Sequence, residues 1–80
     1  MWTVSLHPAA VTELGQVDKN NAMKIAQFLQ GLRMADNPRS EGQGISFLWR
    51  YICSDHYIFA EIRDSDKSIV VTSVRPLPFL

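Results

Sequence analysis

The sequence has little of several features that mark particular classes of protein. Cys53 is the single cysteine, which excludes an internal disulfide and a cysteine-based metal cluster and fits a reducing compartment. Purely apolar runs are only a few residues long, too short to cross a membrane. The first residues lack the basic segment and apolar run of a signal peptide. Together these absences predict a cytoplasmic protein that has no contact with a membrane.

An excess of charge of one sign is also missing. Eight Lys and Arg residues balance eight Asp and Glu residues, for a formal net charge of +0. Proteins that hold nucleic acid through its phosphates usually carry a basic excess or patch. A role on RNA or DNA would therefore depend on a few placed arginines. The length of 80 residues, with 46% hydrophobic and 20% charged, predicts one globular domain over residues 1–80.

The first half of the chain predicts a strand and two helices. Residues 2–6 alternate apolar and polar side chains, which is the period of a half-buried strand. A proline then opens a short helix over residues 8–17. Asp18 is a suitable N-cap for a second helix, which should end near Met34. A loop marked by Asn, Pro and Gly residues follows that helix.

The second half predicts three antiparallel strands, at residues 45–53, 56–63 and 68–74. The tail from Arg75 onward contains two prolines and should not extend a central strand. The expected fold is therefore α+β in the order β-α-α-β-β-β. The first strand joins the edge of a small, mostly antiparallel four-stranded sheet, and the αα-hairpin packs on one face. The other face of the sheet stays open to a partner or a substrate.

This order and several segments resemble the RelE/ParE superfamily of toxins from type II toxin–antitoxin systems. The opening strand and HPAAVTELGQV resemble the family's first strand and helix, and NNAMKIAQFLQGLRMADNPRS its second helix and loop. LWRYICSDHYIFAEIRDSDKSIVVTSVR resembles its hairpin and last strand, so the resemblance spans nearly the whole chain. It implies a cognate antitoxin as the partner. It also implies one of two activities: RelE-like members cut mRNA in the ribosomal A site, and ParE-like members poison DNA gyrase.

The RelE-like branch implies a set of site residues and needs no metal or other cofactor. Its basic side chains hold the phosphate while the RNA's own 2′-OH attacks. Arg50 and Arg75 match basic positions of that branch, and Phe79 lies near its C-terminal aromatic, where it would stack on the substrate. Two positions depart from the pattern. Ile58 stands where an arginine is frequent, and Ile52 stands where a second cation is expected.

The remaining candidates have structural alternatives. His56 and Tyr57 are the acid–base candidates, although a histidine beside a turn is usually solvated. Tyr57 should face opposite Ile58, on the open face with Arg63, which is a candidate substrate-binding residue, unless Tyr57 serves cross-strand packing. Arg75 is either a site residue or a strand-end cation that pairs with Glu61 or Asp64. The leading hypothesis is a ribosome-dependent mRNA endonuclease neutralised by an antitoxin. The alternatives are a DNA gyrase inhibitor and a degenerate toxin that only binds its antitoxin.

Overall fold

The computed structural model describes residues 1–78, which form two helices and one five-stranded sheet. The strand order across the sheet is β1-β5-β4-β3-β2, in which β1 runs parallel to β5 and all other neighbours are antiparallel. The predicted α+β class and the helix pair on one face of the sheet are confirmed. The elements along the chain are β1 (Thr3–Leu6), α1 (Pro8–Gly15), α2 (Lys19–Arg33), β2 (Gln43–Ile45), β3 (Leu48–Cys53), β4 (His56–Arg63) and β5 (Ser68–Pro76).

Local signals position both helices. His7 caps α1, because its Nδ1 accepts a hydrogen bond of 3.1 Å from the backbone N–H of Ala9, and Pro8 takes the first turn. Asp18 caps α2 as predicted, and its carboxylate accepts from the backbone N–H of Asn21. The end of α2 agrees with the prediction to within a residue, whereas α1 is two residues shorter than predicted. Neither helix in the described part of the chain is long and apolar enough to cross a membrane.

The prediction of four strands, with one strand over residues 45–53, is wrong. The chain turns back between Ile45 and Leu48, which pair across the short hairpin of β2 and β3. Ser46 takes the left-handed conformation at the turn, with φ of 56°, without the glycine that usually signals such a turn. The glycines nearby serve another purpose. A Cβ at Gly42 would overlap the indole of Trp49, so Gly42 lets that ring lie against the backbone.

The last strand is also longer than predicted, because β5 continues through Pro76. Its parallel partner β1 stops opposite Val71, so beyond that point β5 has a neighbour on one side only. The N–H of Leu77 donates to the carbonyl oxygen of Asp55, on the β4 side. Alternation along the strand turns the Pro76 nitrogen to the opposite side, where no strand needs its N–H.

The hydrophobic core lies between the helices and the sheet face that they cover. Ile58 and Ala60 of β4 and Ile69 and Val71 of β5 are fully buried there. Tyr51 of β3 is also buried, with its ring edge-on to a phenylalanine of α2 and its hydroxyl donating to the carbonyl oxygen of Pro38. No helix within residues 1–78 covers the opposite face of β3, β4 and β5, and we call this face the open face.

Candidate functional site

Side-chain alternation decides which residues of β3, β4 and β5 reach the open face. Tyr51 of β3 pairs with Ile58 of β4, which pairs with Val74 of β5, and all three are buried under the helices. Their sequence neighbours therefore point the other way. The open face near this end of the sheet carries two rows of cross-strand neighbours, which are Arg50, Phe59 and Ser73 in one row and Ile52, Tyr57 and Arg75 in the other.

Arg50 lies against the aromatic side chains of the open face. The central carbon of its guanidinium is 4.6 Å from the centroid of the Tyr57 ring, and this ring is 6.0 Å from that of Phe59. One Nη of Arg50 donates to the side-chain oxygen of Gln43 on β2, at 2.8 Å. Its Nε is buried and has no hydrogen-bond partner among residues 1–78. A cation over an aromatic face is favourable, so this contact holds the guanidinium above Tyr57.

Arg75 reaches the same face from the other side of Tyr57, its partner in the β4–β5 register. The Nε of Arg75 donates to the hydroxyl of Ser73 at 2.9 Å and lies 3.6 Å from a carboxylate oxygen of Glu13 on α1. The alternative pairing with Glu61 or Asp64 is wrong. Tyr57 thus lies between two arginines, one on each neighbouring strand.

His56 lies on the other side of the sheet, away from Arg50. It shares the parity of Ile58, faces the helices and is 9% exposed. Its Nδ1 is 2.7 Å from the carbonyl oxygen of Ser54, which can only accept, so Nδ1 carries the proton of this bond. His56 lines a cavity of about 580 Å³ beside α1, and Glu13 and Arg75 also line it. The structure therefore separates the two acid–base candidates.

Arg63 and Phe79 stand apart from this arrangement. Arg63 is six residues beyond Tyr57 on β4, a distance of about 20 Å along an extended strand. Its Nε pairs with Glu61 at 2.9 Å. Phe79 lies outside the described residues. Of the predicted site residues, Arg50, Tyr57 and Arg75 lie on adjacent strands, His56 meets only Arg75, at the cavity beside α1, and Arg63 lies apart from all of them.

Three polar residues of the site are missing from the sequence-based prediction. Gln43 supports Arg50 from a strand that the sequence did not reveal. Ser73 could have been found, because alternation along β5 puts it on the same face as Arg75. Glu13 accepts from the Ser73 hydroxyl and from the backbone N–H of Val74, both at 3.0 Å. A contact between residues 60 positions apart leaves no local signal in one sequence.

Several groups outside this site have shifted pKa values, and the local structure explains the shifts of Tyr51, Asp64 and Cys53. Burial raises the pKa of Tyr51 to about 12. The hydrogen-bonded guanidinium of Arg39 holds the pKa of the Asp64 carboxyl below its ordinary value. Burial raises the pKa of the Cys53 thiol, so this cysteine is not an activated thiolate.

Comparisons with known proteins find similar structures but no similar sequence. No family model and no curated protein sequence matches the chain. A toxin–antitoxin complex RelBE from Mycobacterium tuberculosis has a TM-score of 0.85 at 15% identity, covering 94% of this chain and 96% of that one. The isolated RelE toxin of E. coli has a TM-score of 0.83 at 11% identity, covering 100% and 88%. A chromosomal ParDE system from P. aeruginosa has a TM-score of 0.71 at 11% identity, covering 98% of both chains.

The fold is that of the RelE and ParE toxins. This agreement confirms the fold that the resemblance implied, over nearly the whole described chain. At these identities the likeness establishes the RelE/ParE fold but not an activity, which depends on the residues of the open face.

Proposed function

We propose that this chain is the toxin of a type II toxin–antitoxin system and acts as a RelE-like, ribosome-dependent mRNA endonuclease. It would work in the cytoplasm as one domain and be neutralised by a cognate antitoxin. The observation that supports this activity best is the placement of Arg50, Tyr57 and Arg75 on adjacent strands of the open face. Two arginines on the strands either side of one tyrosine supply side chains that phosphodiester cleavage can use.

In the proposed reaction, the 2′-OH oxygen of the RNA attacks the adjacent phosphorus and the bond from phosphorus to the 5′ oxygen breaks. The 2′-OH proton passes to solvent, and the products are a 2′,3′-cyclic phosphate and a new 5′-OH. Arg50 and Arg75 neutralise the charge that builds up on the phosphate oxygens. The Tyr57 hydroxyl gives its proton to the leaving 5′ oxygen. Because Arg50 covers the ring of Tyr57, base stacking falls to Phe59 instead.

The charge balance supports the proposed dependence on the ribosome. The net charge is +0, and the two arginines of the proposed site can neutralise only a few phosphates. Affinity for RNA grows with the number of phosphates that a protein neutralises, so the protein alone should bind mRNA weakly. The ribosome would hold the mRNA in place and supply the missing affinity.

An antitoxin would cover apolar side chains that the fold leaves in water. Phe47 is 83% exposed and Ile52 is 61% exposed, which is high for such large apolar side chains. Ile52 is next to Tyr57 in the β3–β4 register, so a segment that covers it would also cover the proposed site. We propose that the antitoxin segment folds as it binds.

The test is primer extension on an mRNA incubated with the purified protein, with and without translating ribosomes. New 5′ ends inside codons should appear only when ribosomes translate. Arg50→Ala should lower the cutting rate by about 100-fold, the range for removal of one charge-stabilising donor. Lys19→Ala is the matched control, since it removes the same charge from an exposed position on α2. Equal cutting by Arg50→Ala and Lys19→Ala would contradict the proposed site.

One observation favours a gyrase inhibitor as the second candidate. His56 faces the helices, so only Tyr57 of the two predicted acid–base residues reaches the open face. A protein that only binds gyrase needs no proton donor. In that case primer extension shows no cuts, and cells that express the chain accumulate cleaved DNA linked to gyrase. A chain that does neither and leaves growth unchanged is a degenerate toxin that only binds its antitoxin.

A further inference from the structure

Glu13 is the one residue of α1 that reaches the site strand β5 with a charged group. One of its carboxylate oxygens accepts from the Ser73 hydroxyl and from the backbone N–H of Val74, both at 3.0 Å. The other oxygen is 3.6 Å from the Nε of Arg75. The Glu13 side chain is only 25% exposed, whereas that of Arg75 is 67% exposed. Because two donors hold the Glu13 carboxylate in place, it can restrict the position of the more exposed arginine.

Ser73 links the carboxylate to the arginine in a defined direction. A serine hydroxyl has one proton, and here that proton goes to Glu13. The hydroxyl oxygen therefore receives the Nε–H of Arg75 with a lone pair, at 2.9 Å. The resulting chain of donors runs from Arg75 through Ser73 to Glu13. Consecutive hydrogen bonds polarise one another, and the carboxylate at the end favours the charged guanidinium at the start.

This chain of hydrogen bonds decides which part of Arg75 remains available. Its Nε is occupied, while neither Nη makes a hydrogen bond within residues 1–78. The bond to Ser73 also holds the guanidinium beside Ser73, which lies in the row that contains Phe59 and Arg50. Both Nη groups are left as a fork, the arrangement that binds two oxygens of one phosphate.

The other arginines of β3 and β4 are held differently. Arg63 pairs with Glu61, two residues away on the same strand, and both side chains are largely exposed. Arg50 is held by a neutral amide and an aromatic ring. Arg75 alone among these three is fixed by a charged residue on a helix, through the Ser73–Glu13 hydrogen bond that joins residues 60 positions apart.

We propose that Glu13 is a positioning residue, which acts through Ser73 to aim the two Nη groups of Arg75 at the substrate phosphate. The effect of Glu13 on cutting rests on the proposed function, because the orientation of the Arg75 guanidinium matters for cutting only if the site binds the scissile phosphate. The geometric part, that Glu13 and Ser73 together fix Arg75, does not depend on any activity.

The first test measures geometry on the full chain, by the NMR signal of the Arg75 side-chain Nε–H and its exchange with water. In the wild-type protein this proton should exchange slowly. Ser73→Ala should speed its exchange at least tenfold while keeping the bond from Val74 to Glu13. Glu13→Gln should also speed exchange, because an amide oxygen accepts the Ser73 hydrogen bond less strongly than a carboxylate does and so weakens the hold on Arg75. Unchanged exchange in both variants would overturn the proposal.

The second test measures cutting in the ribosome assay with a double-mutant cycle. Arg75→Ala should cost about 100-fold and Glu13→Gln about 10-fold, since a misplaced group loses part of its effect. The double variant should be no slower than Arg75→Ala alone. A purely structural Glu13 would instead give the product of the two losses together with a lower melting temperature. Asp36→Asn is the charge-matched control on an exposed loop position.

The two tests separate this inference from the proposed function. If the wild-type protein cuts no mRNA, the endonuclease proposal fails, and the exchange of the Arg75 Nε–H still decides whether Glu13 fixes the arginine. If the protein cuts mRNA but the two losses multiply, the endonuclease stands and the positioning role of Glu13 is wrong.

Discussion

The two faces of β4 differ sharply in burial. Ile58 and Ala60 are fully buried against the helices, while their neighbours Tyr57 and Phe59 stand half-buried on the open face. A single residue step along the strand therefore separates the core from the proposed site. Because side chains alternate along a strand, one set of β4 residues packs in the core and stabilises the fold, and the other set faces the proposed site.

This division places the proposed site on strands that also form the core. Arg50, Tyr57 and Arg75 project from three strands whose other faces are packed in the core. Catalytic groups on rigid elements keep their mutual geometry better than groups on loops. It also means that stability and activity can be changed separately, by substitutions one residue apart.

The largest effect should come from a large-to-small change on the covered face. Ile58→Ala should lower the free energy of unfolding by about 2–5 kcal/mol, because it leaves a cavity in the core. Phe59→Ala, one residue along, should cost clearly less stability and should weaken RNA cutting instead. Urea denaturation followed by circular dichroism measures both. Equal losses of stability from the two substitutions would break the distinction between the faces.

The next effect concerns the tyrosine on the open face. Tyr57→Phe should lower cutting about 100-fold, the contribution of a proton donor, while leaving the melting temperature nearly unchanged. The ring stays in place under Arg50, so only the hydroxyl is lost. Single-turnover cutting on stalled ribosomes measures it. Full activity in Tyr57→Phe would assign the donor role to another group.

The covered face contains a tyrosine, Tyr51, that stabilises the fold and has no proposed role in cutting. Tyr51 is 1% exposed and donates to the Pro38 carbonyl, so Tyr51→Phe should cost about 1–3 kcal/mol by leaving that oxygen unpaired. Its raised pKa, about 12, means that the unfolded chain loses the proton first as pH rises. Stability should therefore fall between about pH 10, the ordinary tyrosine value, and about pH 12. Melting temperatures over this range should show a shallower fall in Tyr51→Phe.

The smallest effect should come from the exposed ion pair of Arg39 and Asp64, which joins the loop before β2 to the β4–β5 turn. The pKa of Asp64 is lowered in the folded state, so the pair stabilises the fold above the ordinary aspartate range. This contribution is lost as pH falls through the lowered value. Asp64→Asn should slightly lower the melting temperature at pH 7, and the difference from the wild-type protein should shrink as the Asp64 carboxyl becomes protonated at low pH. A difference that does not shrink as pH falls would assign the effect to something other than charge.

The sequence predicted the element order well, because the signals are local. The cap at Asp18, the proline at the start of α1 and the alternation in β4 each depend on residues close in sequence. The β2–β3 hairpin was missed because Ser46 adopts a positive φ without glycine or asparagine at the turn. The continuation of β5 through Pro76 was missed because it depends on where β1 ends, which is a property of the sheet.

The site was predicted only in part, for the same reason. Alternation along β4 already placed Tyr57 on the face opposite Ile58, and applied to His56 it would have placed that histidine under the helices. The contact of Glu13 with Arg75 joins the first helix to the last strand, and no spacing in one sequence indicates it. Residues that alternate can be assigned to a face from sequence, whereas partners that meet through the fold cannot.

The position of β5 between β1 and β4 has a consequence for the order in which the protein is made. Of the described elements, β5 is the last along the chain. Until β5 is made, β1 has no strand partner, because its residue Thr3 pairs with Ser68. Contacts between residues so distant in sequence slow folding. The two halves of the site, Arg50 and Arg75, therefore come together only when synthesis has reached β5. A polypeptide interrupted before Ser68 would lack β5, which joins β1 to β4, and would lack Arg75, so the proposed activity belongs only to chains in which β5 has been made.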